Sequence, residues 1–177
     1  ENKIHEEIVK QGLLGKNLVI ANALINMYAK CGYLAKAQEV FNGLVVRDVV
    51  SWNALITGYA EHGHGNEAIR CFDDMKKGGI MPDPVTYMCA LKACGNQGAT
   101  ARGAEIHAEI ERQGLTQRDV TVGNALVDMY AKCGALTKAK QVLLHEIPAR
   151  NVVTWNTLIS GYAREGQGQE ALNCFEQ

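Results

Sequence analysis

The stretch NALINMYAKCG at 22–32 returns as NALVDMYAKCG at 124–134, and no other feature limits the possible folds so strongly. DVVSWNALITGYAEHGHGNEAIRCF (48–72) returns as NVVTWNTLISGYAREGQGQEALNCF (151–175), and KIHEEIVKQGL (3–13) as EIHAEIERQGL (105–115), a long period of about 102 residues. One extra residue falls before the second copy of SW/TW, where FNGLVVRD (41–48) is answered by LLHEIPARN (143–151). A chain that repeats in this way buries the apolar face of each unit against its neighbours, so an array is expected.

Within the long period the pattern is helical. In VVSWNALITGYA (49–60), Val49, Trp52, Leu55, Ile56 and Tyr59 fall on one stripe, and in GNEAIRCFDDMKK (65–77) so do Ala68, Ile69, Phe72 and Met75. HGHG (62–65) separates the two stripes, and GGIMPD (78–83) closes the unit, with Gly breaking the helix and Pro82 forbidding its continuation. Each unit is therefore a helical hairpin. No segment alternates with period two over the length of a strand, and the chain reads as an all-α solenoid. With 47% apolar residues in 177, it can bury a substantial core. The net charge of -1 provides no general basic footprint, so a nucleic-acid partner must be held by placed groups. No apolar run approaches the roughly 18 residues of a membrane helix, so no membrane partner is expected. The N-terminus ENKIHEEIVK lacks a signal core and an Arg/Ser-rich leader, so targeting is expected to be absent or to lie outside this piece.

Helical pairs of about 35 residues carrying VVSWNALITGYAEHG and EAIRCFDDMKKGGIMPD resemble pentatricopeptide repeats, of the plant type that alternates P, long and short motifs. The resemblance covers the whole chain. It divides the chain into the end of a long motif (1–17), a short motif (18–48), a P motif (49–83), a long motif (84–119), a short motif (120–151) and the start of a P motif (152–177). It implies a right-handed superhelix whose first helices line a surface for single-stranded RNA. On this division NALINMYAKCG and NALVDMYAKCG begin two short motifs one triplet apart. Because the chain begins and ends inside repeats, it is expected to be part of a longer solenoid, with Ile4, Ile8, Leu172 and Phe175 lacking outer neighbours.

Asn22, Asn53, Asn124 and Asn156 share one offset from the start of a first helix. Asn is a mediocre helix former, often a local cap, but four at one register suggest use of the amide, whose donor and acceptor suit the edge of a base. The resemblance implies that the fifth and last residues of each motif together read one base. That pairs Asn22 with Asp48, Asn53 with Asp83, Met88 with Asp119 and Asn124 with Asn151, and leaves Asn156 without a partner within the chain. By the family's pairing rule, Asn with Asp favours uridine and Asn with Asn a pyrimidine, usually cytidine. Met88 has no polar group for a base edge, so the expected core is U, U, any base, then C or U. The second residues Val19, Val50, Val85, Thr121 and Val153 would wedge between bases, or else simply pack. Lys30, Lys132 and Arg164 share an offset near the ends of first helices and could meet phosphates or only water; Glu61 interrupts that track.

HEE (5–7) and HAE (107–109) match half of a zinc deaminase signature, but the Cys-x-x-Cys half is missing and His5 and His107 are repeat positions. No catalytic residue, metal or cofactor is assigned, and the chain is not expected to be an enzyme. His62 and His64 become Glu165 and Gln167 in the second copy, which leaves a metal role there unsupported. The six cysteines, among them Cys31 with Cys133 and Cys71 with Cys174, are expected to be buried, reduced thiols. The alternative is a protein-binding scaffold like the tetratricopeptide repeats, whose pattern Trp52, Leu55, Tyr59, Ala68 and Phe72 partly match. Ile56 stands where that pattern requires Gly. Proteins with this alternating motif order resemble organellar factors, mitochondrial or chloroplast, that specify cytidine-to-uridine RNA editing, with other editing factors as partners.

Overall fold

In a computed structural model the described residues are 17–148 and 151–176, and every regular element among them is helical. The elements pair as the two stripes per unit require. Helices α1 (Leu18–Lys30) and α2 (Leu34–Asn42) are followed by α3 (Val49–Glu61) and α4 (Gly65–Lys77), then α5 (Pro84–Gln97) and α6 (Thr100–Arg112). A short α7 (Leu115–Arg118) leads to α8 (Val120–Lys132) and α9 (Leu136–Gln141), and α10 (Val152–Arg164) precedes α11 (Gly168–Phe175). The chain forms two compact units, one ending at Cys89 and one beginning at Ala90, and the division falls inside α5. In the first unit α1 packs on both α2 and α3, and α3 on α4. In the second, α8 packs on both α9 and α10, and α10 on α11. Thus α1 and α3 lie side by side in the first unit and α8 and α10 in the second, each against its own second helix.

The stripes account for the cores. Leu55, Ile56, Ala68, Phe72 and Met75 are fully buried, and Trp52 meets Phe41 edge-on with ring centroids 4.6 Å apart. Each large apolar side chain buried this way contributes about 1.5–3 kcal/mol. The glycines of LITGYA and LISGYA permit the close approach of first helices. A Cβ on Gly58 would lie 2.6 Å from the Ala29 Cβ, and one on Gly161 would lie 3.1 Å from the Ala131 Cβ and 2.8 Å from Leu136 Cδ2. The AKCG ends also work alike. Gly32 turns left-handed at φ 77°, so that its N–H donates to Ala29 O at 3.1 Å and Tyr33 N–H to Tyr28 O at 2.9 Å, closing α1 in a Schellman motif.

The extra residue of the second copy falls where α9 continues into a π turn, Val142–Glu146. A π turn bonds across five residues where an α turn bonds across four, so it takes up an insertion without breaking the helix. One expectation needs correction. Cys31 is exposed at the C-cap of α1, and Cys71, Cys89 and Cys133 are half-buried, because repeat cysteines also occupy helix ends and flanks; only Cys94 and Cys174 are buried. No disulfide joins any of the six. Leu172 and Phe175 are exposed, whereas Ile4, Ile8 and His5 lie outside the described residues. Among the described residues no helix is long and apolar enough to cross a membrane.

Candidate nucleic-acid interface

The last residue of each motif stands immediately before a first helix and caps it. Asp48 accepts from the Ser51 N–H at 2.8 Å, while Ser51 Oγ accepts from the Asp48 N–H at 2.9 Å, a reciprocal capping box. Asp83 and Thr86 repeat it ahead of α5, at 2.8 and 3.1 Å, and Asn151 and Thr154 ahead of α10, at 3.0 and 3.5 Å. Asp119 caps α8 differently, through the N–H and hydroxyl of Thr121. A carboxylate here also faces the positive end of the helix. Burial raises the Asp48 carboxyl, but hydrogen bonds from the Ser51 hydroxyl and N–H and from the Asn22 amide outweigh it and leave the group below the usual carboxylate value. Asp83 is lowered in the same way, its burial outweighed by the Thr86 N–H, the Asn53 amide and the Thr86 hydroxyl. Both are ionised at neutral pH.

The asparagines are not caps. They lie in the second turn of their helices and reach the cap of the next one. Asn22 Nδ2 donates to Asp48 at 3.1 and 3.4 Å, and Asn53 Nδ2 to Asp83 at 3.0 and 3.1 Å. Both pairs open onto a single cleft of about 660 Å³ in the first unit, which is also lined by Val19, Val50 and Val85. Those valines do not pack into a core: Val19 is 77% exposed, Val50 53% and Val85 44%. Exposed β-branched side chains flanking polar pairs can cover the faces of a planar ring while the pairs meet its edge.

In the second unit, the Thr154 hydroxyl sits 2.6 Å from Asn124 Oδ1 and 3.0 Å from Asn151 Oδ1, bringing those two residues together despite the inserted residue. Val153, 60% exposed, lines a separate cleft of about 360 Å³ with Asn156, Asp128, Thr157, Ser160 and Arg164. Met88 is half-buried and Asp119 is engaged by Thr121; the two fall in different units. Thr121 is exposed. Lys30 is exposed at the end of α1, whereas Lys132 is held by Asp128 at 2.7 Å one turn back. Asn26 and Thr57, which the sequence did not single out, also line the larger cleft, one helical turn beyond Asn22 and Asn53. The HAE histidine has a structural position: His107 is buried, with Nδ1 3.0 Å from the Tyr130 hydroxyl and Nε2 2.7 Å from Glu146. Glu111 is close enough to complete a three-residue ligand set, but both ring nitrogens already have protein partners.

Two models of the same repeat match the chain: the PPR repeat family over 47–96 and 150–177, and the PPR repeat over 19–49. Together they take in more than half of the chain. Similar curated proteins include two chloroplastic pentatricopeptide repeat-containing proteins of Arabidopsis thaliana. Each is 41% identical over 98% of this chain, which spans only 27% of one and 33% of the other. Among solved structures, the maize pentatricopeptide repeat protein PPR10 is similar with a TM-score of 0.74 and 25% identity, over 99% of this chain and 26% of that one. PPR10 in complex with an 18-nucleotide psaJ RNA element gives 0.75 and 23%, over 96% and 26%.

Proposed function

The chain belongs to the pentatricopeptide repeat family, and we propose that it binds single-stranded RNA through its first helices, one base to each repeat. The reading rests on one observation: the Asn22/Asp48 and Asn53/Asp83 pairs, which the family resemblance implies, share a cleft flanked by exposed Val19, Val50 and Val85. In this reading, each amide donates one N–H to its carboxylate and keeps another for a base. The carboxylate, ionised at neutral pH, can accept a base N–H. Uridine presents such an N–H between two carbonyl acceptors. With RNA running 5′ to 3′ along the chain, the preferred core is U, U, any base, then C or U, the last read by Asn124 with Asn151. Asn156 begins a further site, and Val19, Val50, Val85, Thr121 and Val153 separate the bases. Lys30 and Arg164 meet phosphates, and Lys132 contributes less because Asp128 already neutralises it.

The alternation of P, long and short motifs, with the divisions at 18–48, 49–83, 84–119 and 120–151, supports a part in recognising sites of organellar RNA editing. Chloroplastic relatives support an organelle. Selection from a random RNA pool tests the reading: uridine should emerge at the first two positions, and purines there would refute it.

A further inference from the structure

Behind the proposed base readers lies a set of hydroxyls that capping alone does not explain. Ser51, Thr86 and Thr154 stand third in their motifs and are fully buried. Each follows a motif whose fifth residue is Asn: Asn22, Asn53 and Asn124. The fourth junction is different. Val122 takes the third position, equally buried and without a hydroxyl, and it follows the motif that carries Met88. There the helix is capped by Asp119 acting on Thr121 instead. A first helix can therefore begin well without a hydroxyl in third position, and it does so where there is no amide to orient.

The geometry shows what the hydroxyl adds. Thr86 Oγ1 lies 2.6 Å from Asn53 Oδ1 and 2.8 Å from Asp83 Oδ1, with one proton to give. Asp83 Oδ1 already accepts from the Thr86 N–H and the Asn53 amide, whereas Asn53 Oδ1 has no other donor among the described residues. The proton accordingly goes to Asn53. Thr154 repeats the arrangement on Asn124 at 2.6 Å. Ser51 departs from it. Its hydroxyl turns to the carboxylate and carbonyl of Asp48, and Asn22 Oδ1 is left buried without a donor.

We infer that the third-position threonines are positioning residues for base recognition by the preceding motif. This rests on the RNA-reading function proposed above. An amide looks nearly the same after a half-turn that exchanges its donor and acceptor ends, so only its partners fix which end faces the cleft. At Asn53 the Asp83 carboxylate attracts Nδ2 from one side and the Thr86 hydroxyl holds Oδ1 from the other, while at Asn124, where the capping residue is Asn151, the Thr154 hydroxyl supplies the hold on Oδ1. The amide is left to offer the base N–H alone, which selects bases whose edge presents a carbonyl acceptor. At Asn22 only the carboxylate half of this restraint is present.

The test is binding to short single-stranded RNAs that differ only at the nucleotide facing Asn53 and Asp83. The unmodified chain should prefer uridine to adenosine there by about tenfold, the discrimination of a good base contact. Thr86→Val should reduce that preference to within about threefold while helical content and mean affinity for the four RNAs change little. Thr86→Ser should give an intermediate preference, because a serine hydroxyl can turn to the carboxylate as that of Ser51 does. A Thr86→Val chain that still prefers uridine fully overturns the inference, as does one that weakens all four RNAs alike. If Thr86→Val does not fold, Ser51→Thr decides. It should sharpen preference at the nucleotide facing Asn22 and Asp48 several-fold, and unchanged preference there overturns the inference. Should the unmodified chain show no base preference at all, the RNA reading falls and takes this inference with it, a result distinct from failure of the variants alone.

Discussion

Asn53 is bound on both sides by protein, to Asp83 through Nδ2 and to Thr86 through Oδ1, so it could hold two helices together as well as read a base. Asn53→Thr separates these roles, since it removes the amide and keeps a hydroxyl. In the family Thr with Asp favours guanosine, so preference at that nucleotide should move from U to G with the other positions unchanged. The lost uridine contact should cost about 1–3 kcal/mol. Titration against RNAs differing at one base measures it, and equal weakening of every RNA would make Asn53 a clasp. Asp83 permits a second test. Its carboxyl is lowered from the usual 3.8, so its contribution to stability is complete above that pH and is lost as pH falls through the lower folded value. Asp83→Asn keeps a capping side chain but not the charge, so urea unfolding of that variant should lose less stability in acid than the unmodified chain does. The shared offset of Asn53 was legible from the repeat register, and its pairing with Asp83 was implied by the family resemblance. The part of Thr86 was not, because a threonine near a helix start looks like any first-turn residue until the fold sets it against the preceding motif.

Within each unit the two neighbouring first helices come close, and Gly58 is where α3 approaches α1. Replacing a mid-helix Gly by Ala ordinarily gains about 1 kcal/mol of helix propensity. Here the new methyl would meet the Ala29 Cβ at 2.6 Å, a short side chain that cannot swing aside. Gly58→Ala should therefore destabilise the chain by about 1–3 kcal/mol in denaturant unfolding. Ala29→Gly in the same chain should recover part of the loss, and independent, additive effects of the two changes would show that the helices do not meet there. The stripes of Leu55, Ile56, Phe72 and Met75 made the helices readable in advance because amphipathic spacing is a local property. The π turn at Val142–Glu146 was visible only as one surplus residue, since sequence marks an insertion but not which hydrogen bonds absorb it. Likewise Cys31 looked like a core thiol until its place as a helix cap was known.

Over the molecule as a whole, a net charge of -1 gives RNA no general welcome, and attraction must come from individual cations. Lys30 is exposed at the end of α1, so Lys30→Ala should weaken all RNA sequences about equally and reduce the salt slope of binding by somewhat under one unit. Titration at two salt concentrations checks this, and a change in base preference would exclude a phosphate contact. Lys132 should contribute less, as its pairing with Asp128 four residues earlier would suggest from sequence alone. The capping role of Asp48, Asp83, Asp119 and Asn151 bears on how such an array could acquire a new target. In the proposed RNA-reading function, a mutation that rewrites one of these letters also edits the first turn of the following helix, where a residue unable to cap costs about 1 kcal/mol. Evolution can exchange Asp, Asn, Ser and Thr there with little damage to folding, whereas any other spelling weakens the next repeat before its effect on RNA is felt. The vocabulary of targets open to descendants of this chain is confined in advance by what can begin a helix.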